Sequence, residues 1–224
     1  NKTIKNRTNT INSDILETIK NNFNIKTIDS LDKFFESLFN EKDKTENGIV
    51  FTPDFIADYI VKNTIINFNE NTKIIDPSCG CGIFLISTIK HIKSLTNISI
   101  SNIIKNNLFG IDLQKENIER VKILISLYAI INGEDNEEYK FNLKCCDSLF
   151  NDWERIFNVN KFDYIIGNPP YINNHDLKDE YINLLKSDFE TTQEGTFNIF
   201  YAFIEKSSIC LSDTGKIGYI IPNN

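Results

Sequence analysis

The sequence lacks methionine, has two histidines and one tryptophan, and contains no long apolar run among its 224 residues. A transmembrane helix needs about 20 consecutive apolar residues, whereas the apolar runs here are broken by Lys, Asn and Asp. The chain opens Asn-Lys-Thr-Ile-Lys-Asn-Arg with no apolar run after the charges, unlike a secretory signal. We therefore expect a cytoplasmic protein with no membrane partner. A chain that starts at Asn and lacks methionine is also expected to be a fragment.

Cysteine is present in an odd number, five, which does not suit a disulfide framework in a chain without an export signal. Cys79 and Cys81 are too close to bridge easily, and so are Cys145 and Cys146, so free thiols are predicted. Zinc sites usually space paired cysteines by two residues. Neither pair has that spacing and neither histidine lies close to them, so we expect no metal.

Charge and hydrophobicity are those of an ordinary globular chain. There are 24 Lys and Arg against 31 Asp and Glu, a formal net charge of -7, and 41% of residues are hydrophobic. This composition excludes disordered, collagen-like and simple repeat proteins. The net negative charge also argues against this chain alone gripping a phosphate backbone, which normally requires a basic surface.

The chain divides near residue 47. Residues 1–47 are rich in Asn, Lys and Asp, and their apolar positions recur at helical spacing, which predicts an N-terminal helical extension. Residues 48–224 are predicted to form the main domain. Near its start, Thr52 can cap a helix whose first residue is Pro53 and which runs to about residue 67.

Short β-branched runs alternate with helical patterns over the rest of the chain. Strands are predicted at residues 73–76, 108–112, 141–146, 162–167 and 216–221. Helices are predicted at residues 82–94, 114–132 and 197–212. This alternation predicts an α/β fold with a doubly wound, mostly parallel sheet. Residues 95–107 form an extra excursion, and residues 173–196 are predicted to be a long polar loop.

Glycines follow the first predicted strand, which ends at Asp76. Gly80 and Gly82 allow the backbone to turn tightly and approach a ligand at the carboxyl edge of the sheet. Leu85 stands where the third glycine of a dinucleotide fingerprint would fall, which disfavours a ligand with a pyrophosphate. The next two strands end at Asp112 and Asp147. Three carboxylates along one edge favour a cationic or hydroxyl-rich ligand.

The fourth predicted strand leads into Asn168-Pro169-Pro170-Tyr171, the most informative segment of the chain. Successive prolines make the loop stiff and extended. The carbonyls of this loop and the Asn168 side chain offer acceptors for the two hydrogens of a planar amine, and Tyr171 offers a flat face for its ring. The segment therefore predicts a clamp for an aromatic or amide NH₂ group.

With these motifs the sequence resembles the S-adenosylmethionine-dependent amino-methyltransferases, particularly the N6-adenine DNA methyltransferases of restriction-modification systems. The resemblance covers about residues 47–224, and its motif order looks like the gamma arrangement of that family. The matching pieces are Phe51-Thr52-Pro53, the stretch from Asp76 to Gly82, Asp112, Asp147, Asn168-Pro169-Pro170-Tyr171, Thr196-Phe197-Asn198 and the stretch from Gly215 to Pro222.

The resemblance implies a Rossmann-like methyltransferase fold and a role for each matching residue. Asn168, Pro169, Pro170 and Tyr171 would hold the base being methylated. The residues that would bind S-adenosylmethionine are Thr52, Asp76 and Pro77 near its methionine end, Gly80 and Gly82 along the turn, Asp112 and Leu113 at the ribose, and Asp147 and Ser148 at the adenine.

The implied function is methyl transfer to the N6 amine of adenine in double-stranded DNA, with the adenine flipped out of the stack. Because the chain is acidic, a basic target-recognition domain or specificity subunit is expected outside it. A protein N5-glutamine methyltransferase, whose substrate is also a planar NH₂, remains an alternative. A non-catalytic nucleoside-binding or specificity module is another, although it predicts decay of the amine clamp and all four clamp residues are present.

Overall fold

A computed structural model of the protein describes residues 52–134 and 138–223. The predicted N-terminal helical extension, residues 1–47, lies outside the described residues. Within the described ranges, no helix is both long and apolar enough to cross a bilayer.

Seven helices and five strands make up the described part of the chain. The helices are α1 (Asp54–Thr64), α2 (Ile83–Leu95), α3 (Ile100–Asn106), α4 (Lys115–Ile131), α5 (Trp153–Phe157), α6 (Asp179–Asp188) and α7 (Phe200–Cys210). The strands are β1 (Ile74–Asp76), β2 (Leu108–Asp112), β3 (Asn142–Cys145), β4 (Phe162–Gly167) and β5 (Leu211–Tyr219). Two 3₁₀ turns, Asn174–Asp176 and Glu190–Thr192, flank α6.

The five strands form one sheet in the order β3-β2-β1-β4-β5, and every neighbouring pair is parallel. The central strand β1 pairs with both β2 and β4, so the strand order reverses there. Ile75 lies opposite Phe109 on one side and Ile165 on the other. The predicted doubly wound parallel sheet is confirmed. In such sheets ligands bind outside the carboxyl ends of the strands, at the point of reversal.

Alternate residues of the central strands face two separate cores, as the two-residue period of a strand requires. Ile74 and Ile166 belong to a large core with α1, α2, α3 and α4. Ile75 and Ile165 belong to a smaller core with α5 and the end of α7, around the fully buried Trp153. Both faces of the sheet are therefore covered by helices. A ligand site is expected where the carboxyl ends of the strands lie.

The expected cap of α1 is wrong. Pro53 occupies the N-cap position, and its carbonyl accepts the first helical hydrogen bonds, from Ile56 N at 3.0 Å and Ala57 N at 3.2 Å. No side chain caps the helix. The Thr52 hydroxyl instead accepts a hydrogen bond from Asn168 Nδ2 at 3.0 Å.

The fifth strand begins earlier than predicted, at Leu211 rather than at residue 216. Leu211 pairs with Phe162 and Lys216 pairs with Tyr164, so an irregularity in register lies between the two pairs. The intervening residues include the exposed Asp213 and Thr214. These polar residues interrupt the apolar run from which the strand was predicted, so the prediction began too late.

The prediction of a long polar loop at residues 173–196 is also wrong, because this segment contains α6 and its two flanking 3₁₀ turns. Tyr181, Leu185 and Phe189 are spaced by four residues and form an apolar stripe, with Ile182 packed beside it. Leu185 and Phe189 are buried in a third hydrophobic cluster with Phe197 and Phe203. These apolar residues are too few to dominate the average polarity of the segment, although they suffice to dock the helix. The excursion at residues 95–107 likewise contains a helix, α3.

Two adjacent leucines test the packing of α6. Leu185 is 0% exposed and Leu184 is 50% exposed. Leu185→Ala should lower the free energy of unfolding by about 2–5 kcal/mol, because it leaves a cavity. Leu184→Ala, the matched control, should change it by less than about 0.5 kcal/mol. Urea unfolding measures both, and equally small effects would mean that α6 is not docked on the third cluster.

Candidate active site

The two glycines of the turn after β1 have different surroundings. Both have a positive φ, +49° at Gly80 and +91° at Gly82. A Cβ added at Gly80 would meet nothing closer than Ser78 O at 4.0 Å, whereas a Cβ at Gly82 would lie 3.0 Å from Val121 of α4. Gly82 therefore permits close packing between the turn and α4, and Gly80 borders open space where a ligand can approach the backbone.

Asp112, at the end of β2, is bonded directly to the glycine turn. Its Oδ2 accepts from Gly80 N at 2.8 Å, and its Oδ1 accepts from Gln114 N at 2.8 Å and from Asn117 Nδ2 at 3.0 Å. Burial raises the pKa of Asp112, and these three hydrogen bonds oppose the rise. Leu113, the next residue, is 70% exposed, a large apolar side chain presented to solvent at the edge of the site.

Asp76, at the end of β1, is the most deeply buried of the three carboxyls, at 1% exposure. Its Oδ1 accepts a hydrogen bond from Ser78 N at 3.0 Å. Gly167, at the end of β4, covers it so closely that a Cβ there would lie 2.6 Å from Asp76 Oδ1. Burial raises the pKa of Asp76 to about 8, the Ser78 hydrogen bond opposes this, and the Asp112 charge adds to it. Near pH 7 this carboxyl is therefore largely protonated.

Asn168 joins three segments that are far apart in sequence. Its Nδ2 donates to Thr52 Oγ1 at 3.0 Å, and its backbone carbonyl accepts from Ser78 Oγ at 3.2 Å. The predicted base-binding loop, the glycine turn and the Thr52 segment therefore meet at the reversal point of the sheet. Pro169 is buried and Pro170 is half-buried beside them.

Tyr171 is held at its hydroxyl end. The hydroxyl donates to the Ile220 carbonyl at 2.9 Å and also contacts Asn168 Oδ1. Its ring meets Phe200 edge to face, with centroids 6.3 Å apart and planes at 87°. Sequence analysis did not single out Phe200 or Ile220. Ile220 lies within the matched stretch from Gly215 to Pro222, and Phe200 follows the matched Asn198 by two residues, and these positions are the signal that could have found them.

Asp147 lies two residues beyond the end of β3, not at the strand end as predicted, and both of its carboxylate oxygens have partners. Oδ1 accepts from Leu149 N at 2.9 Å, and Oδ2 accepts from the hydroxyl of Tyr181, on α6, at 2.9 Å. Tyr181 was missed because its segment was taken for a loop. Ser148 is 6% exposed, and its Oγ has no hydrogen-bond partner among the described residues.

The order of the strands places the acidic and amide groups in a row. Asp76 and Asp112 end β1 and β2, Asn168 directly follows β4, and Asp147 lies two residues beyond β3; the strands are neighbours in the order β3, β2, β1, β4. With strands about 4.8 Å apart, the row spans about 14 Å. An elongated nucleoside derivative fits this length. Such a molecule carries amine and hydroxyl groups that can donate hydrogen bonds. They suit the line of carboxyls, the open backbone at Gly80 and the Ser148 hydroxyl, which has no partner among the described residues.

A metal centre has no counterpart in the part of the chain that the structure describes, where no three His, Cys, Asp or Glu side chains cluster. All five cysteines lie in this part and none forms a disulfide.

The fold is that of the class I S-adenosylmethionine-dependent methyltransferases. A putative enzyme of that class from Listeria monocytogenes superimposes with a TM-score of 0.57 at 20% identity, covering 89% of this chain and 55% of that one. The restriction-modification enzyme LlaBIII bound to DNA gives a TM-score of 0.63 at 21% identity, covering 88% of this chain and 17% of that one.

The chain belongs to the Eco57I restriction-modification methylase family, whose profile matches residues 106–224, more than half of its length. The Type II methyltransferase M.BstVI of Geobacillus stearothermophilus is 27% identical over 188 residues, 78% of this chain and 33% of that protein. The restriction enzyme and methyltransferase RM.Eco57I of Escherichia coli is 23% identical, over 82% of this chain and 24% of that protein. The chain thus spans a third or less of these relatives, and the family expected from the motifs is confirmed.

The different surroundings of the two glycines predict different effects of alanine. Gly80→Ala should lower the free energy of unfolding by about 1–2 kcal/mol, the cost of a left-handed backbone in an L-residue. Gly82→Ala should lower it clearly more, since the new methyl also presses on Val121. Urea unfolding of both variants measures the difference, and equal losses would contradict the packing of Gly82 against α4.

The raised pKa of Asp76 predicts how stability varies with pH. The folded protein keeps this proton up to pH about 8, whereas an unfolded Asp loses it near 3.8. The folded state therefore binds the proton more tightly, so the stabilising contribution is complete below pH 3.8 and is lost as pH rises towards 8. Asp76→Asn, which stays neutral, should remove this downward slope.

The measurement is the free energy of unfolding of the parent and of Asp76→Asn between about pH 4 and pH 9. All other ionisable groups are the same in both proteins, so the difference between the two curves reports on Asp76 together with its interaction with Asp112. Parallel curves would show that the Asp76 carboxyl is ionised in the folded protein.

Proposed function

We propose that this chain is the methyl-transferring part of a restriction-modification enzyme that uses S-adenosylmethionine to methylate the N6 amine of adenine in DNA. One observation carries the proposal: the Asn168-Pro169-Pro170-Tyr171 loop starts directly beside the buried Asp76, bonded to Thr52 and Ser78. An amine held by this loop would lie at one end of the row of carboxyls, where a bound cofactor would end. The family match and the Type II methyltransferase relatives support the same activity.

Residues along the edge would hold the cofactor in the order of the strands. Asp147 and Ser148 would bind the adenine. Asp112 would accept hydrogen bonds from the ribose hydroxyls. Asp76 and Thr52 would lie beside the methionine end. Pro77, Gly80, Gly82 and Leu113 would line the path between these ends. When bound, S-adenosylmethionine supplies a methyl group activated by a positively charged sulfur. A cationic ligand beside Asp76 would favour the ionised carboxylate, so binding would release a proton below pH about 8.

The clamp residues would prepare the target amine. The lone pair of an adenine amine is delocalised into its ring, which makes it a poor nucleophile. Asn168 Oδ1 and the Pro169 carbonyl would accept its two hydrogens and thereby favour a tetrahedral nitrogen with a localised lone pair. An amide oxygen carries two lone pairs, and Asn168 Oδ1 also contacts the Tyr171 hydroxyl. Positioning and hydrogen bonding then supply most of the catalysis.

The DNA substrate would have to present a flipped adenine, because the amine cannot reach this edge from within the duplex. Tyr171 would stack on the extruded base. With a net charge of -7, the chain has little attraction for phosphates. We therefore place target recognition in a basic domain or specificity subunit outside these residues. DrdV and LlaBIII, solved as DNA complexes, are far longer than this chain, which covers 22% and 17% of them.

Asn168→Ala tests the clamp. In the full-length protein it should lower the rate of DNA methylation by at least about tenfold while leaving cofactor affinity nearly unchanged, because it removes one acceptor for the amine and no cofactor contact. Asn183→Ala, an exposed asparagine on α6, is the matched control and should keep the parent rate. The rate is measured with labelled S-adenosylmethionine, and affinity by calorimetry.

The product separates the candidate functions. N6-methyladenine in digested DNA supports the proposal, whereas N4-methylcytosine would contradict the adenine assignment. Methylation of protein glutamine without methylation of DNA would favour the N5-glutamine methyltransferase. An Asn168→Ala enzyme with unchanged turnover would overturn the clamp.

A further inference from the structure

We propose that Tyr181 is a positioning residue for the cofactor, which holds the Asp147 carboxylate in the orientation that receives the adenine amine. This rests on the proposed function, which assigns Asp147 to that amine. Tyr181 lies on α6, in a segment between the base-binding loop and α7. In this role Tyr181 gives the segment a part in cofactor recognition.

The hydrogen bonds of Asp147 define its carboxylate plane. Leu149 N donates to Oδ1 and the Tyr181 hydroxyl donates to Oδ2, each at 2.9 Å. One donor on each oxygen prevents rotation of the group about its Cβ–Cγ bond. Each carboxylate oxygen has two lone pairs, so a position remains for one hydrogen of an amine. The side chain is thus oriented before a ligand arrives, which reduces the ordering cost of binding.

Packing fixes the position of the Tyr181 hydroxyl itself. The Tyr181 ring meets Phe150 edge to face, with centroids 5.2 Å apart and planes at 89°. Phe150 in turn contacts Phe189, at 6.1 Å between centroids, and Phe189 is buried with Leu185. Since Phe150 follows Asp147 by three residues, α6 is tied to the loop after β3 by both packing and a hydrogen bond. A hydroxyl carried on such a support makes a precise donor.

The Tyr181 hydroxyl acts as a donor at neutral pH. Burial and the nearby Asp147 charge both raise its pKa, so it keeps its proton. A hydroxyl in this place has two possible effects: it aligns the carboxylate for the amine, or it occupies the lone pair that the amine needs. Two lone pairs on Oδ2 and a preformed aromatic support favour alignment. The two effects have opposite signs in a binding experiment.

A double-mutant cycle measures the effect, using Tyr181→Phe, Asp147→Ala and the double variant with S-adenosylhomocysteine in calorimetry. Tyr181→Phe keeps the ring and its packing on Phe150 while removing the hydroxyl. It should weaken binding about fivefold, roughly the effect of one hydrogen bond. In the Asp147→Ala background it should have no further effect, because the carboxylate through which it acts is absent.

A second readout separates positioning from a general structural role. S-inosylhomocysteine lacks the adenine amine, so the parent should prefer S-adenosylhomocysteine over it. Tyr181→Phe should reduce that preference by about the same factor as its loss of affinity. Tyr59→Phe is the matched control, since Tyr59 of α1 is 68% exposed, and it should change neither affinity nor preference.

Each contrary outcome has a distinct meaning. If Asp147→Ala weakens binding but Tyr181→Phe does not, or if Tyr181→Phe tightens it, the positioning role is overturned and the proposed function stands. An equal loss for Tyr181→Phe with and without Asp147, or an unchanged preference between the two ligands, also overturns it. If the parent binds S-adenosylhomocysteine and Asp147→Ala binds it equally well, the adenine assignment itself fails.

Discussion

The parallel pairing of β1 with both β2 and β4 is the constraint on which the rest of the structure depends. Parallel strands bring all of their carboxyl ends to one edge, and the reversal of strand order at β1 opens that edge to a ligand. Helices on both faces bury the alternating side chains of the short central strands. The polar residues at and just after the strand ends are therefore gathered in a row along that edge, where hydrogen bonds such as Gly80 N to Asp112 and Ser78 to Asn168 join them.

Burial of Asp76 is the most costly feature of this row. A carboxyl removed from water is stable in its neutral form or beside a cation, and Gly167 seals this one so tightly that no side chain fits between them. The raised pKa leaves the group ready to ionise when a positive ligand arrives. Asn168 follows Gly167 directly, so the carboxyl proposed to favour a cation and the loop proposed to hold an amine are adjacent. Such proximity suits transfer of a group from a cationic donor to an amine.

The segment after the proposed base-binding loop is a docked helix and not the polar loop that the sequence predicted. A polar loop in this place would be exposed to solvent and available to a binding partner. As a docked helix, α6 carries Tyr181 to Asp147 and supports it through Phe150. The bridge between Asn173 and Asn198 then returns the chain to α7, whose Phe200 packs on Tyr171. This segment thus contacts the end of the row assigned to the cofactor's adenine, and α7, which follows it, contacts the loop assigned to the target base.

The sequence by itself determined the alternation of strands and helices, the acids following the strands and the Asn168 loop, because burial on a sheet or helix leaves a local period and turns need particular residues. The family followed from those same local motifs. Only the tertiary structure decided that Thr52 bonds to Asn168, 116 residues away, and Tyr181 to Asp147, 34 residues away. Partners at such separations depend on how whole elements pack. Likewise the pKa of Asp76 is raised because Gly167 covers its carboxyl. The docking of α6 depends on Tyr181, Leu185 and Phe189, and only the structure shows the third hydrophobic cluster on which they pack.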